Sequence, residues 1–298
     1  LIKDYYSSKL NLKYTASLWK GEKFNMKFIK MQGTGNDFVV IDDRDNRFLG
    51  KEKELGLKLC NRHFGIGGDG ILIVRQSEIA QIKMIIINSD GSYASMCGNG
   101  IRCFAKYVWE ENLVKESPIK IETGDGIKEA FLNIENGKVK EVTIDMGTPS
   151  FDPKKIPVNS CDEVVKKELK INEKTYSITS MFMGVPHTVI FGDLEKYDVK
   201  EGKAIEKYSI FPEGTNVNFC EVLNKDEIKI KTWERGAGPT LACGTGTCAC
   251  AVASNKLGFT EGKVKAHVPG GILFIEVKDN KVFMTGPAEV SFKGEYDI

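Results

Sequence analysis

Cys97 and Cys243 each stand immediately before a Gly-x-Gly step, Cys97-Gly-Asn-Gly100 and Cys243-Gly-Thr-Gly246, 146 residues apart in a chain of 298. Ile101, Phe104, Ala105, Val108 and Trp109 recur at helical spacing after the first step, and the small residues from Cys248 to Ala253 follow the second, closed by Leu257-Gly258. Each thiol is therefore expected at the mouth of a helix. Unpaired backbone N–H groups and the positive dipole end there lower a thiol's pKa and attract an anion such as a carboxylate. Two such mouths imply a substrate carboxylate at their junction, with one sulfur on each face of its α-carbon. That geometry suits inversion of configuration: one thiolate removes the α-proton and the opposing thiol delivers a proton to the other face. Neighbouring thiols do not both ionise cheaply, so the pair is expected to hold one thiolate and one thiol. The weakly acidic α-proton further requires helix-end donors and exclusion of water to stabilise an enediolate-like charge.

The elements that would position these loops follow from the rest of the pattern. Strand-like runs lie at 70–74, 83–87, 141–145, 187–191, 227–231 and 271–277, and helical ones near 51–59, 100–113, 162–169 and 246–257. The cysteine grammar occurs twice, and Gly33-Thr-Gly-Asn-Asp-Phe38 is echoed by Gly214-Thr-Asn-Val-Asn-Phe219. We therefore expect an α+β protein of two similar domains, each a curved, mainly β sheet around a central helix. Their limits are set at 26–146 and 147–287, with Met146-Gly-Thr-Pro149 as the hinge.

Competing chemistries fit less well. Gly65-Ile-Gly-Gly-Asp-Gly70 matches G-x-G-x-x-G, but a helical stretch precedes it and a strand follows, the reverse of a dinucleotide site, so it reads as a tight turn. The chain has no C-x-x-C, and His63, His187 and His267 are scattered, so no metal site is expected. Cys103, Cys220, Cys248 and Cys250 read as buried core thiols. With 42 Lys plus Arg against 41 Asp plus Glu, the chain offers no basic field for nucleic acid or an anionic membrane surface, and no apolar run is long enough for a spanning helix. Eight cysteines without a secretory signal read as reduced thiols in cytoplasm. Residues 1–25 lack any core pattern, and Lys20-Gly-Glu-Lys23 could be encoded by a ribosome-binding sequence upstream of Met26. That segment is expected to be untranslated leader or a disordered extension, with a basic targeting peptide as the alternative.

The chain resembles the diaminopimelate epimerase family from Met26 essentially to its end. The resemblance rests on seven motifs in order. These are Lys30-Met-Gln-Gly-Thr-Gly-Asn-Asp-Phe38, Gly65 to Gly70, Asn88-Ser-Asp-Gly-Ser92, Met96-Cys-Gly-Asn-Gly-Ile-Arg-Cys103, Gly184-Val-Pro-His187, Asn216-Val-Asn-Phe219, and Trp233-Glu-Arg-Gly-Ala-Gly238 with Leu241-Ala-Cys-Gly-Thr-Gly246. It implies a cofactor-independent isomerase interconverting LL- and meso-2,6-diaminopimelate, serving lysine and peptidoglycan precursor synthesis, with Cys97 and Cys243 as the acid-base pair. It also implies a pseudo-twofold between the halves and a last strand, 288–298, returning to the first domain. Asn36, Asn88, Asn99, Asn218, Glu234 and Arg235 resemble the family's substrate ligands, with Gly98, Gly244 and Thr245 as helix-end contacts. His187 and Glu234 resemble supporting groups near the reacting centre. Chemically, a substrate whose distal end is itself an amino acid needs a cation for one carboxylate and oxygen acceptors for one ammonium. The sequence departs from the common pattern at Val185, where many members have Asn, and at Pro239, where many have Glu. Gly70, Gln in some members, is given no ligand role. A proline racemase or hydroxyproline epimerase is the alternative, but those typically carry His where this chain has Asn99; a thiol redox module would leave the polar motifs unexplained. The only partner expected is the small-molecule substrate, and a homodimer is compatible with these features.

Overall fold

The computed structural model describes residues 24–171 and 173–298. The expected leader falls mostly outside them; the first strand starts at Asn25. One half carries β1 (Asn25–Gly33), β2 (Asn36–Asp42), β3 (Gly70–Arg75), β4 (Ile82–Asn88), β5 (Tyr93–Ala94), β6 (Ile119–Thr123), β7 (Gly126–Glu135) and β8 (Lys138–Asp145). The other carries β9 (Lys167–Ile171), β10 (Lys174–Met183), β11 (Val185–Phe191), β12 (Asn216–Asn224), β13 (Glu227–Glu234), β14 (Gly238–Thr240), β15 (Lys263–Val268), β16 (Gly271–Lys278) and β17 (Lys281–Pro287), and β18 (Glu289–Asp297) closes the chain. Among the described residues four α-helices accompany them: α1 (Glu52–Leu59), α2 (Gly98–Glu110), α3 (Gly202–Glu206) and α4 (Gly244–Lys256). The protein is thus a two-domain, mainly β fold with few helices, as its sequence led us to expect.

The pairings repeat nine strands apart. β1–β2 is antiparallel and β2–β3 parallel, just as β10–β11 is antiparallel and β11–β12 parallel. The parallel step β4–β6 recurs as β13–β15, and the meander β6–β7–β8 as β15–β16–β17. β18 runs antiparallel to β1 as β9 does to β10, and antiparallel β8–β17 joins the halves. The chain therefore crosses back at its end, placing β18 beside the first strand it made.

This repeat corrects one expectation. The turn at Gly33–Phe38 joins β1 to β2 and so matches the β10–β11 turn at Gly184, whereas Gly214–Phe219 leads into β12 and matches the Gly65–Gly70 loop before β3. The echo in sequence is not an echo in topology. A second correction concerns 162–169, which has helical spacing but lies along β10 instead. Ser180 N donates to Val164 O, and Leu169 faces Tyr176 across β9–β10. The open edge of β10 supplies backbone partners that a short isolated helix could not match.

The two central helices are enclosed for different reasons. α2 turns Ile101, Phe104, Ala105 and Val108, all fully buried, into the first sheet. In α4 the small side chains Cys248, Ala249, Cys250, Ala251 and Ala253 are buried on every side, because β10, β11, β12 and β16 all pack on it. Cys103, Cys220, Cys248 and Cys250 are indeed core thiols.

Candidate active site

The helix mouths meet. A Cβ on Gly98 would lie 3.7 Å from Gly244 Cα and 2.8 Å from Met284 Cε, and one on Gly244 would lie 3.1 Å from Met284 Sδ, so the two backbones lie within contact distance of each other and any larger residue would have to displace Met284. Cys97 occupies the capping position of α2 and Cys243 that of α4, both with extended backbone. By helix geometry the first backbone N–H groups after each cap have no partner within the helix. At α2 the sulfur takes one of them, Gly100 N at 3.4 Å; Cys243 Sγ instead lies 3.5 Å from Thr245 Oγ1.

The rims of the two sheets converge on this junction. In the first half Asn36 opens β2, Gly70 opens β3 and Asn88 ends β4, with Gly70 facing both Phe38 and Asn88. In the second half the same places belong to Val185, Asn216 and Glu234. Asn36 Oδ1 is 3.6 Å from Cys97 Sγ and 3.4 Å from Asn99 Nδ2, and its Nδ2 donates to Asp69 at 2.7 Å. Asn88 donates to Ser92 Oγ at 2.9 Å. Glu234 is half-buried beside Thr240 and Cys243, and Arg235 is exposed, its Nη1 donating to Glu213 O.

Asn218 is placed differently from the expectation of a direct ligand. It lies two residues deeper in β12, is fully buried, and spends its amide on His187 Nδ1 (3.2 Å), Thr188 O (3.4 Å) and Thr232 Oγ1 (3.1 Å). Because Asn218 Nδ2 is a donor, His187 Nδ1 accepts, which puts the proton on Nε2. That Nε2 is buried without a hydrogen-bond partner among the described residues. At the rim the sequence reading passed over Asn216, which accepts from Arg235 N at 2.9 Å and donates to Pro186 O at 2.9 Å. Its signal was its place opening β12, the counterpart of Gly70.

Arg102 braces the junction from within α2. It is fully buried and donates to Gly98 O (3.1 Å), Thr34 Oγ1 (3.2 Å) and Pro287 O (3.2 Å), tying the first loop and the β17–β18 crossover to the helix mouth.

Burial dominates the electrostatics. It pushes the Cys97 thiol up, against the lowering effect of the Gly100 and Asn99 N–H groups, and pushes Cys243 well above the ordinary thiol range, with the Glu234 carboxylate adding to the effect. The helix-end lowering expected from the sequence is present but smaller than desolvation. Burial likewise raises Glu234. It lowers His187 to about 3, with Arg235 contributing, so that imidazole is neutral. Among the described residues no three His, Cys, Asp or Glu side chains stand together as a metal-ligand group, and no helix is long and apolar enough to cross a membrane.

Comparison with known proteins agrees with this architecture. The family model described as diaminopimelate epimerase matches residues 28–151 and 179–291. The diaminopimelate epimerase of Clostridium perfringens is 55% identical over 271 residues, covering 91% of this chain and 99% of that one. That of Caldanaerobacter subterraneus is 48% identical over 277 residues, covering 92% and 100%. Among solved structures, a hydroxyproline epimerase from Agrobacterium vitis superposes with TM-score 0.67 at 14% identity, covering 92% of this chain and 91% of its own. A PhzF-family phenazine biosynthesis protein from Bacillus anthracis does so with TM-score 0.67 at 14% identity, covering 92% and 100%. At such identities the structural likeness speaks for the fold alone.

Proposed function

The chain belongs to the diaminopimelate epimerase family and is an isomerase, and from that premise we propose that it interconverts LL- and meso-2,6-diaminopimelate with Cys97 and Cys243 as its two acid-base groups. The observation that carries this reading is the abutment of two helix mouths, each capped by a cysteine.

The substrate's α-carboxylate sits at the junction and takes N–H groups of Gly98, Asn99, Gly244 and Thr245, which helix geometry leaves unpaired. Its α-carbon then lies between the sulfurs. One thiolate removes the α-proton, the electron pair moves into the carboxylate, and the same N–H groups hold the charge that develops. The opposite thiol gives its proton to the other face. One proton has been taken and one returned, and the two sulfurs have exchanged roles, so the reverse reaction uses the same parts. Since burial raises both thiols, the helix ends alone do not sustain the thiolate, and the positive charge of the substrate's ammonium has to add to them.

Glu234, held beside Cys243, is an acceptor for a substrate ammonium, and His187, held by Asn218, is a supporting group deeper in the same half. Arg235 is the cation for the distal carboxylate, with Asn36 and Asn88 on the opposite rim. No cofactor takes part in the proposed step. The setting we propose is cytoplasmic lysine and peptidoglycan precursor synthesis.

The test is to incubate purified protein with LL-diaminopimelate in deuterated water, without added metal or pyridoxal phosphate. Formation of the meso isomer carrying one α-deuterium is expected. Exchange into proline instead would transfer the assignment to the proline racemase reading.

A further inference from the structure

The Gly65–Gly70 loop makes a tight turn that has no part in the proposed reaction. It folds back on α1, with Ile66 N and Gly67 N both donating to Leu59 O, and Gly67 takes the left-handed conformation at φ 83°. The outcome of that turn is the placement of Asp69. Its Oδ2 accepts from Asn36 Nδ2 at 2.7 Å and from Asp37 N at 3.1 Å, while Arg62 holds its Oδ1 at 2.8 Å.

Donor and acceptor rules then fix what Cys97 meets. An Asp carboxylate only accepts, so the end of the Asn36 amide turned toward Asp69 must be its NH₂. The carbonyl end is thereby turned to Cys97 Sγ, 3.6 Å away. Asn99 Nδ2 approaches the same oxygen at 3.4 Å, a longer and weaker contact than the charge-assisted bond at the other end. A carbonyl oxygen facing a sulfur can accept from S–H but has nothing to offer a thiolate; a flipped amide would do the opposite. We propose that Asp69 is a positioning residue that fixes the Asn36 amide with its oxygen toward Cys97 and so holds a proton on that sulfur in the substrate-free protein. The inference rests on the reading of Cys97 as an acid-base group and adds to it which contact keeps the proton on that sulfur at rest. Other charges also face Cys97: Arg102 from α2 favours its thiolate, while Glu234 from β13 and Cys243 across the junction oppose it. None of the three hydrogen-bonds to Asn36 in the structure.

The experiment measures alkylation of Cys97 by iodoacetamide, mapped by mass spectrometry, between about pH 6 and 9, relative to exposed Cys161 in the same full-length chain. Asp69→Ala, Asn36→Ala and the double variant are compared with wild type after each is shown to fold by circular dichroism. Freeing the amide, or removing its oxygen, should raise the Cys97 rate at pH 7 by about threefold or more. The double variant should match Asn36→Ala within about twofold, because the Asp69 effect runs through Asn36. An unchanged Cys97 rate in Asp69→Ala overturns the proposal. So does an Asp69 effect that persists undiminished without Asn36, which would mark simple through-space charge. If Asp69→Ala does not fold, Asn36→Ala decides: no acceleration there overturns it equally. Alkylation needs no substrate, so this outcome is independent of the epimerase assay, where loss or retention of activity in Cys97→Ala judges the underlying reading.

Discussion

Asn99 Nδ2 donates to the carbonyl of Ala242 at 3.1 Å, linking the residue two places after one cysteine to the residue just before the other. Both groups are buried. The bond runs from the first turn of α2 to the segment before α4, more than a hundred residues away in the chain, and holds the two helix mouths in register.

Asn99→Leu should therefore cost more than a surface substitution. It leaves the Ala242 carbonyl buried without that donor, a loss of about 1–3 kcal/mol. Urea unfolding should show a lower midpoint with an unchanged slope; a midpoint equal to wild type would mean that the bond contributes nothing to the joint.

The cysteine pair makes a directional prediction. Cys97→Ala or Cys243→Ala removes one proton carrier, and net epimerisation should fall by at least the roughly 10² to 10⁴ typical of a lost acid or base. Residual exchange of the α-hydrogen with retention should favour one isomer in one variant and the opposite isomer in the other. Proton NMR in deuterated water reads both quantities. Near wild-type turnover in either variant, or a shared isomer preference, would turn attention to a one-base mechanism through His187 or Glu234.

His187 gives stability a pH dependence whose sign can be worked out. Its folded pKa, about 3, lies below the ordinary 6.5, so as pH falls through 6.5 the unfolded chain takes up a proton that the folded chain refuses. Stability from this group is complete above that pH and is lost below it, by on the order of 1 kcal/mol for each pH unit below 6.5. Urea midpoints measured across that range should fall more steeply for wild type than for His187→Gln. Parallel curves would show that the imidazole is not held neutral.

Val185 occupies in the second half the place that Asn36 holds in the first. Val185→Asn should restore a polar group to that rim and lower KM for diaminopimelate, by severalfold and with little change in kcat, since uniform binding affects KM alone. Steady-state kinetics on both isomers would check it, and a change confined to kcat would place the residue closer to the chemistry than its position implies.

Much of this protein could be read locally. The stripe from Ile101 to Trp109 and the small residues from Cys248 to Ala253 announced the two central helices, and the Gly-x-Gly steps marked where they begin, because capping and periodicity act within a few residues. Most strands were legible for the same reason. Segment 162–169 was not, since its own spacing is helical and only the open edge of β10 makes it extended.

What the sequence by itself determined, then, was the pair of thiols at two glycine-opened helices and the family motifs around them. Only the tertiary structure decided which residues share that space. Strand pairing nine apart aligned Gly70 with Asn216 rather than with the motif that looks alike, sent Asn218 beneath the rim to hold His187, and brought Asp69 to Asn36. It also decided that burial outweighs the helix ends at both sulfurs. The physical reason is range: hydrogen-bond caps and side-chain periods are set by neighbours in the chain, whereas desolvation and the meeting of loops depend on the β8–β17 joint and on the return of β18 to β1, contacts between segments more than a hundred residues apart.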